Sequence, residues 1–303
     1  MKKYQVNGFL NGITAAVCYG VNPLFTLPLY KMGMNVNSVL FYRYIFAVVI
    51  YGAVLKLFKK TNFKISLKEF FYLFFMATVF ASSSIALFEA LRYLDSGIVC
   101  TLLFVYPVIV ALISTIFFRE RLTKTSIFAL FLVMAGIFTL DGGINDDLNF
   151  KGVFLTLLSA SFDALYVVLV KNLKPLRHMR HDKLSFYVML FAFCIFMLNV
   201  KFCTDLQPIS DWRILLCVIA LAVFPTVIAL ETISLAIRLI GPTTAAILGA
   251  LEPITAITIG ILLFHEVLTI NSVIGIIFIL VGVVMIILRN HFKKFFKPTQ
   301  KSS

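Results

Sequence analysis

Long apolar runs along this chain are separated by short breaks rich in Lys, Arg, Asp, Gly and Pro. The runs cover residues 6–30, 37–58, 67–91, 95–118, 124–140, 151–171, 183–202, 212–237, 242–264 and 270–288. Each reaches the roughly 17–25 residues that carry an α-helix across a bilayer. None shows the period-two alternation of a half-buried strand. The pattern predicts an all-α membrane protein of ten transmembrane helices.

The pattern repeats itself. Adding 146 to the numbers of residues 90–136 returns Ala90, Arg92, Leu102, Pro107, Phe118, Glu120, Leu122, Thr123, Ser126 and Gly136 as Ala236, Arg238, Leu248, Pro253, Phe264, Glu266, Leu268, Thr269, Ser272 and Gly282. Such self-similarity marks two copies of one unit. At the start of the copies an offset of 144 pairs Gly8 with Gly152 and Ala16 with Ala160. The first unit is read as residues 1–140 and the second as 151–288, followed by a basic tail over 289–303. Five helices per unit is an odd number, so the second copy enters the membrane inverted.

Composition agrees with lipid as the solvent. The 303 residues are 61% hydrophobic and 14% charged, against about 25% charged in a soluble domain. The net charge of +13 does not point to nucleic acid, because the basic residues sit in short loops and not on one face. With the N-terminus in the cytoplasm, 21 of the 27 Lys and Arg fall inside, five fall outside and Arg43 lies within a helix. Copy one carries Arg119, Arg121 and Lys124 at its inner turn, where copy two has His265, Val267 and Ile270 outside. The first apolar run is long and carries Asn11, Asn22 and two prolines, so it reads as a spanning helix and not a cleavable signal. Five cysteines without CxxC spacing read as small buried hydrophobes. The Gly8, Gly12, Ala16, Gly20 stripe predicts close helix packing.

The chain resembles the EamA-type transporters of the drug/metabolite transporter superfamily. The resemblance rests on Phe118-Arg119-Glu120-Arg121-Leu122-Thr123, on Leu251-Glu252-Pro253 with Phe264-His265-Glu266-Val267-Leu268-Thr269, and on Arg43 after an aromatic pair. It covers essentially the whole chain. It implies two inverted five-helix repeats and a small-molecule substrate, with amino acids, nucleotide-sugars and drugs all carried within the family. Asp163 departs from it, as an acid in a helix usually uncharged there.

Ionisable groups inside a spanning helix cost about 2.5–3.5 kcal/mol each on insertion scales, which makes them functional candidates. Glu252 precedes Pro253 near the middle of its helix, where a lost backbone donor frees a carbonyl one turn back. Asp163 can bind an amine, take up a proton, or bond to Ser159 or to a Ser or Thr of another helix. Glu231, six residues after Pro225, either lines the same cavity or faces a cytoplasmic vestibule. Arg43 suits a carboxylate through a bidentate pair, or holds two helices together, or snorkels outward. Tyr106 is the counterpart of Glu252, and Asn22 beside Pro23 places an amide at a break; both are expected at the central cavity. Tyr166 and Tyr187 are weaker candidates. Glu89 is expected to pair with Arg92, and Glu120 and Glu266 to be structural at helix ends.

No P-loop, HExxH or GxSxG motif is present, and the four histidines lie in loops or the tail. No cofactor, no metal and no enzyme activity is expected. The expected function is a secondary transporter that moves an amino acid or related compound outward by alternating access, with the site near the midplane between halves. The alternative is a flippase for a lipid-linked substrate. The expected setting is the bacterial cytoplasmic membrane, with both termini cytoplasmic, lipid and a small molecule as partners, no nucleic acid, and a monomer or homodimer.

Overall fold

The computed structural model describes residues 3–94, 99, 102–118, 124–140, 149–264 and 270–295. Among them the regular structure is helical throughout. The elements are α1 (Lys3–Gly20), α2 (Asn22–Lys31), α3 (Val36–Leu57), α4 (Leu67–Ala90), α5 (Tyr106–Phe118), α6 (Lys124–Leu140), α7 (Phe150–Asn172), α8 (His181–Asn199), α9 (Trp212–Ala222), α10 (Ala229–Ile240), α11 (Pro242–Leu248), α12 (Leu251–Phe264) and α13 (Ile270–Phe295).

Four of the predicted spans are not plain single helices. The first is broken at Val21, just before Asn22-Pro23, into α1 and α2. The eighth changes register over Val223–Ile228, a π-helical segment between α9 and α10. Pro225 sits inside that segment; it supplies no N–H and its ring crowds the preceding turn, so the wider helix relieves both. The ninth is split at Gly249 and Ala250 between α11 and α12. The fourth is split at Phe104 and Val105, just before α5. The last helix runs to Phe295, through the first part of the expected tail. The linker at 141–147 and the turns holding Glu120 and Glu266 lie outside the described residues.

The two copies face each other through reciprocal contacts. A Cβ on Gly136 of α6 would meet the Gly275 carbonyl at 2.7 Å and Ile279 at 2.9 Å, both in α13. A Cβ on Gly282 of α13 would meet Val133 at 2.9 Å and the Ala129 carbonyl at 3.0 Å, both in α6. Subtracting 146 from Gly282, Gly275 and Ile279 gives Gly136, Ala129 and Val133, so each copy makes the other's contact. The copies' first helices behave likewise. Gly8 in α1 packs against Leu239 and Ile240, and Gly152 in α7 packs against Tyr93 and Leu94. Such mutual exchange is the signature of a two-fold relation, here between inverted halves of one chain.

The most extensive helix contacts join one copy to the other: α6 with α13, α4 with α7, α1 with α10, and α3 with α8. The predicted small-residue stripe of α1 takes part. Gly12 meets Leu248, and Gly20 meets the Glu252 carbonyl and Thr255.

Outside this core the surface is apolar. Phe71, Phe75, Phe117, Phe128 and Phe131 are exposed, as are Leu112 and Ile116. About half of each long apolar span is buried inside the protein and the rest faces outward. Water would oppose that surface, whereas hydrocarbon accepts it. Of the four described cysteines, Cys18 is buried, but Cys194 and Cys203 are exposed, which corrects their reading as buried hydrophobes. Cys194 is in a spanning helix, whose outer face hydrocarbon accepts, and Cys203 is in the turn after α8, so composition alone could not separate buried from exposed positions.

Candidate functional site

A central cavity lies where α1, α3, α4, α7, α10 and the two broken fourth helices meet. It holds about 830 Å³ of empty space, counting the part that opens outward. Five of the six residues singled out in the sequence line it: Asn22, Arg43, Tyr106, Asp163 and Glu252. They come from five different spans, and each is brought in by a local break or by the contacts between copies.

Glu252 and Tyr106 arrive through the two breaks. Pro253 has no N–H for the Gly249 carbonyl, and the Glu252 N–H takes that carbonyl at 2.8 Å instead. The turn this makes puts Glu252 in the first turn of α12. Its carboxyl group has no hydrogen bond or ion pair among the described residues. Tyr106 opens α5 beside Pro107, and its hydroxyl donates to the Ala246 carbonyl of α11 at 2.9 Å. The break of one copy therefore ties down the break of the other. Gly249 is needed for this approach, because a Cβ there would lie 1.9 Å from the Tyr106 hydroxyl.

Asp163 is held by serine. Ser83 of α4 donates to its Oδ1 at 2.6 Å. Ser83 and Ser159 share a bond at 3.0 Å, and Ser159 also donates to the Ser83 carbonyl at 3.1 Å. Asp163 thus bonds to a serine of another helix, one of the alternatives open from sequence. No ion pair reaches it among the described residues.

Arg43 is 3% exposed. Its Nε donates to the Thr226 hydroxyl at 2.6 Å and its Nη2 to the Pro225 carbonyl at 2.9 Å. Both acceptors belong to the π-helical segment, where the shifted register leaves backbone groups to be satisfied. The guanidinium also packs against the rings of Tyr44 and Phe88, at 5.6 and 5.3 Å from their centroids. It does not snorkel, and it pairs with no acid among the described residues. Asn22, 7% exposed, accepts from Thr26 through Oδ1 at 3.3 Å.

Glu231 is elsewhere. It accepts from Lys59 at the end of the bundle richest in Lys and Arg, with His181 Nε2 at 3.8 Å. Nearby, Asp182 is 1% exposed, bonds to Arg180 at 2.7 Å and lies 4.0 Å from Lys59. Arg238 donates to the Met179 carbonyl at the same end. This charged cluster ties the end of α3, from copy one, to α8 and α10 of copy two. Of its two sequence readings, Glu231 follows the one that places it away from the cavity. Tyr187 is likewise spent on the Phe63 carbonyl of a loop. Glu89 pairs with Arg92 at 3.2 Å.

Sequence reasoning missed Tyr19, Ser83, Phe80 and Phe88, which also line the cavity. Two signals pointed to them. The Ser82-Ser83-Ser84 run is polar within an otherwise apolar helix, and Tyr19 is the counterpart of Asp163 at offset 144. Among the described residues no group of three or more His, Cys, Asp and Glu could hold a metal ion. What the cavity's described residues offer is hydrogen bonding, two carboxyl groups, one guanidinium and aromatic faces.

The profile of the EamA-like transporter family matches residues 6–140 and again 150–288. The chain is similar to the uncharacterised transporter YcbK of Bacillus subtilis (strain 168), with 27% identity over 284 residues, spanning 87% of each chain. A solved crystal structure superposes with a TM-score of 0.76 over 94% of this chain and 98% of its own, at 15% identity, a likeness of fold alone.

Proposed function

This chain belongs to the EamA-like transporter family, and on that footing we propose that it is a secondary transporter exporting a small polar metabolite, an amino acid or a related compound. The two halves rock about the central cavity and expose it to each side in turn. The chain is a multi-pass membrane protein, and in this reading both termini are cytoplasmic in a bacterial cytoplasmic membrane.

One observation carries the reading. The cavity forms where the broken fourth helices of two inverted copies meet, and polar groups converge there inside an apolar bundle. Broken helices facing a polar cavity between inverted repeats are the building plan of secondary transporters. The reciprocal glycine contacts give the halves matched surfaces on which to move. The Lys59–Glu231–His181 cluster bridges the copies at one end and is placed to open and close with that motion.

The test is flux. Purified protein in proteoliposomes is loaded with a mixed panel of amino acids and metabolites, and efflux is read by mass spectrometry with and without a pH gradient. Release of one chemical class above empty liposomes is expected. No release of any compound overturns the proposal.

A further inference from the structure

We propose that the substrate binds through an ammonium group, and that within the class above the cavity takes amines lacking a carboxylate: small organic ammonium ions with an apolar body. This rests on the transporter reading and narrows it. Among the described residues, two acids and one cation line the cavity. The cation is fixed in place by two of its donors, since Arg43 holds the Thr226 hydroxyl through Nε and the Pro225 carbonyl through Nη2 and packs against two rings. Glu252 has no protein partner among the described residues, and Asp163 has only Ser83.

Both carboxyl groups are part-buried; withdrawing a carboxylate from water with no cation beside it is costly, and a ligand that brings N–H donors with positive charge removes that cost. The Tyr166 side chain, 2% exposed, lines the same cavity. Phe80 packs on the Tyr166 ring at 5.0 Å between centroids. The remaining wall is aromatic and aliphatic, suited to cation–π contact and to an apolar body. A substrate carboxylate would meet two acids against one guanidinium, which its bonds to Thr226 and Pro225 hold in place.

The experiment uses the purified full-length protein in detergent and calorimetric titration with two matched sets of ligands. One set is phenethylamine, phenylalanine and phenylacetate; the other is isoamylamine, leucine and isovalerate. The amines are expected to bind at least about tenfold more tightly than the amino acids, and the acids not measurably. Glu252→Gln and Asp163→Asn are each expected to weaken amine binding about tenfold or more, with melting temperature and elution volume kept. Glu231→Gln, outside the cavity, leaves amine binding unchanged.

Equal or tighter binding of the amino acids or acids overturns the proposal, as does binding by neither set. Unchanged amine affinity in folded Glu252→Gln protein overturns it too. The flux assay, with these six compounds added to its panel, separates this failure from failure of the transporter reading. If anionic or zwitterionic compounds are released and amines are not, transport stands and the amine assignment falls; if no compound is released, the transporter reading falls as well.

Discussion

The fourth helices of the two copies break at the same place and use the break differently. In copy one the break precedes Tyr106-Pro107, and the tyrosine hydroxyl is spent at 2.9 Å on the Ala246 carbonyl. In copy two it precedes Glu252-Pro253, and the carboxyl group is left without a hydrogen bond or ion pair among the described residues. Backbone geometry is shared because proline imposes it in both. Chemistry is divided between them. One copy supplies a strut and the other an unspent acid, so a symmetric scaffold encloses an asymmetric cavity. Symmetry of fold suits motion between two equivalent end states; a ligand without two-fold symmetry needs the walls to differ.

This division can be broken deliberately. The largest effect is expected for Glu252→Ala, which removes the unspent acid. Proteoliposome flux should fall about 30-fold or more, as losing one partner of a desolvated charge pair costs about 2 kcal/mol or more. Next is Gly249→Ala, which drives a methyl group into the Tyr106 hydroxyl. Overpacking of this kind costs about 1–3 kcal/mol, read as a lower melting temperature in detergent. Tyr106→Phe in the Gly249→Ala background should recover part of that loss. Tyr106→Phe alone removes one neutral hydrogen bond, about 0.5–1.5 kcal/mol, and should lower the melting temperature slightly while ligand affinity stays within a few-fold. The smallest effect on affinity is expected for Lys59→Ala. Lys59 is one-third exposed, and a pair so placed contributes about 0–1 kcal/mol. Its mark should be on flux and not on ligand affinity; a large loss of affinity would mean that the charged cluster and the cavity are one site.

Glu231 and Glu252 show where the sequence stops being informative. Both are acids in apolar helices near a proline. One lies in the charged cluster and the other on the cavity. Residue spacing gives depth along a helix, but which side faces the cavity is legible only when the faces differ in polarity. A helix with lipid on one side and apolar neighbours on the other gives no such contrast. The repeat was legible because 146 is a property of the chain. So was the Gly8, Gly12, Gly20 stripe, because small residues at spacing four have few other uses. The partner of Arg43 was not legible. It depends on a change of helical register around Pro225, which shows only when α3 is placed against the eighth span. Asp163 was found as a costly residue, but its Ser83 partner comes from across the copy boundary.

The contacts between copies bear on how the molecule is made. Synthesis delivers α1 to α6 before any of α7 to α13 exists. At that moment the glycine stripe of α1 has no Ile240 or Leu248 to meet, and Gly136 has no Ile279. The first half then has contacts of its own, such as Tyr30 with Phe88 and Tyr44 with Ser84, but the surfaces its glycines pack against wait for the second half. Two separately translated halves would face the same wait, so a chain cut between α6 and α7 is expected to assemble when the halves are co-expressed, read as co-purification of one half with the other.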